Sequence, residues 1–213
     1  MDPLASLVDW IALYGMLGLF AAGLAERFVP ALPSHAVLVA IGMAAMEDSW
    51  SLPAAFIMTT GGSAVASLAL FLVVQAMGPD MSARLLYGVG RLLGVPSKRI
   101  DRMLASFRAR GHTLSLMAQM VPTIRIIAPL AAALVRLDVW RFATGTLLGV
   151  ALWNGAFLAA GYAAARSFPD LNASALAIKL LLLVLAVEIL SVLIWRLLGR
   201  AHWRRTLPED HAC

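Results

Sequence analysis

Long apolar stretches separated by short polar ones make up most of the chain. Continuous apolar runs cover residues 8–25, 53–77, 141–165 and 174–198. Each run reaches or approaches the roughly 20 residues that a helix needs to cross a hydrocarbon core. Two further stretches, 27–46 and 113–135, are also apolar but contain prolines and charged side chains. The pattern predicts an all-α polytopic membrane protein with about four transmembrane helices and two broken segments.

Composition supports a single membrane domain over residues 1–213. The chain is 61% hydrophobic and 14% charged, with a mean hydropathy of +0.83 and a net charge of +5. No nucleic-acid-binding motif accompanies this charge, so anionic lipid headgroups are the expected partner and nucleic acid is not. Cys213 is the only cysteine, and the four histidines are scattered. We therefore expect no cofactor and no metal site.

The distribution of basic residues predicts the topology. The loop 79–112 contains seven Lys or Arg residues against Asp80 and Asp101, so the positive-inside rule places it in the cytoplasm. Basic residues after the span 174–198 place the C-terminal tail on the same side. Two full spans already return the chain to its starting face. Parity therefore predicts that 113–135 is a re-entrant hairpin that turns near Pro122.

The other broken stretch, 27–46, is predicted to enter the membrane from the opposite face. Prolines at positions 30 and 33 (Pro30, Pro33) break the first hairpin, and Pro122 and Pro129 break the second. Opposed re-entrant hairpins resemble the inverted-repeat arrangement of secondary transporters. Between them, residues 82–110 have an amphipathic pattern interrupted at Pro96. That stretch is either a cytoplasmic connector or a surface that recruits lipid headgroups.

Two groups of residues resemble the motifs of a known family. The first group is Glu26, Pro30, Pro33, Ser34 and Gly42, and the second comprises Pro122, Arg125, Pro129, Phe142, Trp153, Gly161 and Tyr162. Over about residues 10–165 the order and spacing resemble the DedA family, which shares the VTT or SNARE-associated domain. Arg27 and His35 stand where asparagine and an acid are usual, and Gln119 replaces an arginine.

This resemblance implies a multi-pass protein of the bacterial inner membrane with two opposed re-entrant hairpins. It further implies lipid transport, either of undecaprenyl phosphate with coupling to an ion gradient or of phospholipids by scrambling. Glu26 and Arg125 match residues that the family needs. The unmatched acid and arginine leave proton coupling and the identity of the lipid open.

Charged residues at membrane depth are the candidate headgroup site. Arg125 presents a planar fork that matches phosphate oxygens. Glu26 would neutralise an arginine or accept a proton, and the alternative is a structural ion pair with Arg27 or Arg125. Arg27 is counted among the substrate-binding residues, although we expect its side chain to snorkel to the outer interface.

Three neutral or titratable residues complete the predicted site. Ser34 and Gln119 would hold a headgroup by hydrogen bonds, although Gln119 could instead bond to the backbone. His35 would couple transport to protons together with Glu26, or would be an ordinary hydrogen-bonded histidine. Trp153 is expected to pack, and Asn154 to form a hydrogen bond between helices.

Lipid transport is the leading interpretation, and the protein is not expected to be an enzyme. The alternatives are an intramembrane lipid-modifying enzyme, for which no nucleophile and base occur at a usable spacing, and a scaffold, which would have little reason to bury charges. A homo-oligomer is left open.

Overall fold

The fold is helical throughout the residues that the structure, a computed structural model, describes, namely 3–28 and 34–167. A 3₁₀ turn, Ala118–Met120, separates the fifth and sixth helices. The helices are α1 (Pro3–Phe28), α2 (Ser34–Met46), α3 (Leu52–Ala76), α4 (Pro79–Leu92), α5 (Ser97–Met117), α6 (Pro122–Leu134) and α7 (Val139–Ser167). The all-α prediction is confirmed for this part of the chain.

Three helical segments are long and apolar enough to cross a membrane: Val8–Phe28, Leu52–Ala76 and Val139–Ser167. Two of them confirm the predicted spans 53–77 and 141–165. The chain is thus a multi-pass membrane protein. The predicted span 174–198 lies outside the described residues, as do Pro30 and Pro33.

Helix α1 is not one continuous rod. Gly15 has φ 55° and ψ −128°, a backbone conformation that residues with a side chain rarely adopt. Beyond this break the chain packs tightly against itself, because a Cβ atom on Gly18 would lie 2.3 Å from the carbonyl oxygen of Ile11. The run predicted as a span over 8–25 corresponds to the candidate span Val8–Phe28, but its helix is divided into two pieces that meet at Gly15.

Helix α5 is also divided, at Arg110, where φ is −141° and ψ is 47°. Residues before this break belong to the amphipathic pair α4–α5, and the predicted interruption at Pro96 is confirmed because α5 begins at Ser97. After the break the chain forms a helix, the 3₁₀ turn and α6. Pro122 occupies the first turn of α6, where a missing N–H costs nothing, whereas Pro129 lies inside that helix.

Helices α3 and α7 contact each other and hold the remaining apolar helices. Helices α1 and α6 pack on α3, and α2 and α5 pack on α7. Glycines allow the α2–α7 contact: a Cβ atom on Gly42 would lie 2.2 Å from the carbonyl oxygen of Leu158, and one on Gly161 would lie 2.1 Å from that of Val39. Small residues that let helix backbones approach are typical of membrane helix packing.

Candidate functional site

The ends of three helices bring buried charged and polar side chains together. Glu26 and Arg27 lie in the last turn of α1, Ser34 and His35 begin α2, and Arg125 lies in the first turn of α6. All five side chains are buried, and the two arginines are only 7% and 5% exposed. Because isolated charges at membrane depth are costly, a cluster of this kind is a candidate functional site.

Glu26 is held from two sides. Its Oε1 lies 3.6 Å from Nε of Arg27, an ion-pair distance longer than a hydrogen bond. The hydroxyl of Ser63 on α3 lies 2.7 Å from the same Oε1. The expectation that Arg27 snorkels to the outer interface was wrong, since the guanidinium stays buried beside Glu26.

Arg125 links α6 to α2 and α7. Its Nη2 donates a hydrogen bond to Oγ of Ser34 at 2.6 Å. The guanidinium carbon also lies 5.6 Å from the ring centroid of Trp153, within the range of a cation–π interaction. These two contacts fix the guanidinium without using all its donors, because Nε and Nη1 have no hydrogen-bond partner among the described residues.

The charges in the cluster do not balance. Glu26 interacts electrostatically with both Arg27 and Arg125, so two guanidinium groups share one carboxylate. Arg27 also has two N–H positions, Nε and Nη1, without a hydrogen-bond partner in the described structure. A buried donor without a partner costs about 1–3 kcal/mol, and more when it is charged. An anion with several acceptor oxygens, such as a phosphate, would satisfy both arginines.

Aromatic side chains lie next to Arg125, starting with Trp153. The ring of Trp153 lies 4.7 Å from that of Phe157, which in turn lies 5.9 Å from the ring of His35. Nε2 of His35, Nε1 of Trp153 and both amide atoms of Asn154 are buried without a partner in the described part of the chain. The interhelical hydrogen bond expected of Asn154 is therefore not seen there.

The structure brings Glu26, Arg27, Ser34, His35 and Arg125 together in this region, whereas Gln119 is connected to them less directly. Gln119 lies in the 3₁₀ turn before α6, and its Nε2 donates to the carbonyl oxygen of Ser115 at 3.3 Å. The backbone pairing expected of Gln119 is thus present, although its Oε1 has no partner among the described residues. Gln119 is connected to Arg125 along the backbone, through the residues that lead into α6.

Sequence reasoning missed two contributors to the site. Ser63 is one of several small polar residues on an apolar helix and has no distinguishing pattern. Trp153 was expected only to pack, although a tryptophan within a span that also contains Asn154 is a weak polar signal. Among the described residues, no group of three or more His, Cys, Asp or Glu is placed to hold a metal ion.

Two cavities lie near the junction of α2, α3 and α7 and away from the arginines. One has a volume of about 440 Å³ and is lined by Asp48, Trp50 and Tyr162 among others. The other, of about 300 Å³, is apolar and includes Phe56 and Gly155. Neither is lined by Glu26, Arg27 or Arg125. The enclosed charged cluster, and not these openings, has the groups that recognise an anion.

Comparison with known proteins gives two matches. Residues 32–163 match the family model described as the VTT domain. Over 162 residues the chain is 23% identical to undecaprenyl phosphate transporter A of Staphylococcus aureus (strain NCTC 8325 / PS 47). The aligned region covers 76% of this chain and 80% of that protein. No solved structure matches the chain. Ser34, His35 and Arg125 fall inside the region matched by the family model, and Glu26 and Arg27 precede it.

Proposed function

Because the chain belongs to the VTT domain family, we propose that it transports a lipid with an anionic headgroup across the membrane. The observation that supports this proposal most directly is the pair of buried arginines, Arg27 and Arg125, which both interact electrostatically with the carboxylate of Glu26. Both guanidinium groups keep N–H donors without a hydrogen-bond partner in the described structure. A binding site for a phosphate inside a membrane protein requires such donors.

In this proposal the lipid phosphate replaces Glu26 as the main partner of the arginines. Arg125 is already oriented by Ser34 and Trp153, so little side-chain entropy is lost when phosphate binds. The Nε and Nη1 groups of Arg27, which have no hydrogen-bond partner among the described residues, add further donors to the anion site. The protein thereby substitutes for the water that a headgroup loses on entering the hydrocarbon region.

Undecaprenyl phosphate is the lipid we favour, because the Staphylococcus aureus relative is named as its transporter. An anionic phospholipid, moved by scrambling without ion coupling, is the second candidate, since the same cluster would accept its phosphate. We place the protein in a bacterial inner membrane with loop 79–112 and the C-terminus in the cytoplasm. The two broken stretches act as opposed re-entrant hairpins, and Glu26 and His35 carry protons.

Reconstitution tests the proposal. Purified protein in liposomes, with labelled undecaprenyl phosphate or phosphatidylglycerol initially in one leaflet, should accelerate exchange between leaflets. Arg125→Ala should abolish this acceleration, because it removes the fork that binds phosphate. Arg84→Ala serves as the matched control, since it also removes one guanidinium but from the exposed surface of α4. The absence of exchange for every anionic lipid tested would refute the transport function.

The same vesicles separate the remaining alternatives. Exchange that responds to an imposed pH gradient supports proton coupling, whereas exchange that ignores it favours scrambling. Extraction of the lipid after the assay tests for chemistry. Recovery of unmodified lipid supports transport, and a dephosphorylated or transferred product would favour an enzyme.

A further inference from the structure

The hydroxyl of Ser63 is surrounded by three oxygens, although it has only one hydrogen to donate. Its Oγ lies 2.7 Å from Oε1 of Glu26, 3.0 Å from the carbonyl oxygen of Gly23 and 2.9 Å from that of Thr59. Ser63 and Thr59 are fully buried. The two carbonyl oxygens only accept hydrogen bonds, whereas a glutamate side chain accepts when ionised and can donate when protonated.

These distances suit both protonation states of Glu26. When Glu26 is ionised, Ser63 donates to its carboxylate, which gives a charge-assisted hydrogen bond. When Glu26 is protonated, its O–H can donate to Oγ of Ser63, and the serine hydroxyl then rotates to donate to the carbonyl of Thr59 or Gly23. No heavy atom has to move between the two arrangements.

The other groups that face this carboxylate supply the reason for its protonation to change. They are Arg27 on the same helix, Arg125 on α6 and, beyond Arg125, His35 on α2. Helix α3 contributes the hydroxyl of Ser63 and no charge at this point. An anion bound to the arginines competes with Glu26 for their N–H donors, and the oxygens around Ser63 then provide a partner for either form of the carboxyl group.

We propose that Ser63 is a positioning residue that reverses its hydrogen bond to Glu26 when a phosphate-bearing lipid binds, and so links anion binding to proton uptake. The proton enters from the aqueous side, bonds to the Glu26 carboxylate, and leaves when the lipid leaves. This inference rests on the proposed transport function. It gives α3, through Ser63, a role in linking anion binding to proton uptake by Glu26.

Exchange assays with three variants test the coupling. Ser63→Ala removes the hydroxyl, Ser63→Thr keeps it, and Thr60→Val is the matched control because it removes a neighbouring buried hydroxyl from the same helix. We expect Ser63→Ala to shift the midpoint of the pH profile of exchange by about one pH unit and to lose most of the response of exchange to a pH gradient. Ser63→Thr should restore both. A wild-type pH profile and gradient response in Ser63→Ala would overturn the inference.

An infrared measurement separates this inference from the transport proposal. Phosphatidylglycerol added to the reconstituted protein should produce the C=O band of a protonated carboxyl group, which Glu26→Gln should remove. Ser63→Ala should shift that band, because the hydrogen bond to it is lost, whereas Ser63→Thr should not. A band that Ser63→Ala leaves unchanged, or the absence of any such band in the wild type, would refute the role of Ser63 even if lipid exchange is confirmed. A band that shifts in a protein without exchange would refute transport alone.

Discussion

The guanidinium of Arg125 combines three features that a lysine ammonium cannot provide at the same time. It donates to Ser34, lies against the ring of Trp153 and keeps two further donor positions free. A lysine would retain the charge but would lose the planar fork. We expect Arg125→Lys to raise the lipid mole fraction for half-maximal exchange about tenfold, which corresponds to the loss of one hydrogen bond from a charged group.

Titration of exchange rate against lipid mole fraction in liposomes measures this effect. Arg84→Lys on the exposed surface of α4 is the control and should behave as the wild type. Equal half-maximal mole fractions for Arg125→Lys and wild type would show that charge alone is sufficient and that the fork is not used.

The sequence indicated Glu26 and Arg125 because charged residues are conspicuous in apolar surroundings. It did not indicate how they would be held. Arg27 was expected at the outer interface, since neighbouring helical residues point about 100° apart. In the structure α1 ends one residue later, at Phe28, and the guanidinium stays beside Glu26. The end of α1 influences where the Arg27 side chain lies, and the sequence alone did not predict the residue at which α1 ends.

At the scale of helices, the contact between α2 and α7 depends on the absence of side chains. The Gly161 position has no room for a Cβ atom, because the nearest atom is a backbone oxygen of Val39 that cannot rotate away. We expect Gly161→Val to force the helices apart and to destabilise the protein by about 3 kcal/mol. The midpoint of thermal unfolding in detergent should fall accordingly.

A second glycine provides the matched control. At Gly88 on α4, an added Cβ atom meets nothing within 4 Å, and alanine is the better helix former. Gly88→Ala should therefore leave the unfolding midpoint unchanged or raise it, by up to about 1 kcal/mol of stability. If both substitutions had the same effect, the tight α2–α7 packing would not be a source of stability.

The pair α4 and α5 is joined by a hydrogen bond from the Tyr87 hydroxyl to the Asp101 carboxylate. This bond, followed by partial burial, raises the pKa of Tyr87 above its ordinary value. The folded state thus favours the neutral phenol, and the resulting stability is present below about pH 10 and is lost as the pH rises through the raised pKa. Since the pair is largely exposed, the contribution should be below about 1 kcal/mol.

Tyr87→Phe tests this bond. Wild type should unfold at a slightly higher temperature than the variant at pH 8, and the difference should disappear as the pH rises through the raised pKa and the wild-type phenol ionises. A difference that persists unchanged to high pH would show that the effect comes from packing and not from the hydrogen bond.

The helices themselves were predictable where hydrophobic runs were long. The runs 53–77 and 141–165 correspond closely to α3 and α7, and the proline at position 96 correctly marked the start of α5. The break inside α1 was not predicted. Gly15 lies in an uninterrupted apolar run, where glycine is tolerated in a helix, and only its φ of 55° in the folded chain reveals the bend.

On the scale of the whole molecule, two similar units pack on the α3–α7 pair. In one, α1 and α2 flank residues 29–33. In the other, the end of α5 and α6 flank the 3₁₀ turn Ala118–Met120. One partner of each unit packs on α3 and the other on α7. The parity argument from basic residues makes a separate prediction, namely that residues 27–46, which include α2, and residues 113–135, which include α6, each enter and leave the membrane on one face.

Cysteine labelling of intact cells tests that parity for the second unit. With Cys213 replaced by serine, single cysteines at exposed Ala109, before the unit, and exposed Arg141, after it, should both be protected from a membrane-impermeant maleimide, because a re-entrant segment returns the chain to the cytoplasm. A cysteine at exposed Asp48 should be labelled, since that loop is predicted on the outer face. All three should react after permeabilisation. Opposite accessibility at positions 109 and 141 would mean that residues 113–135 cross the membrane completely, and the cluster around Arg125 would then lie on a continuous span and not at the turn of a hairpin.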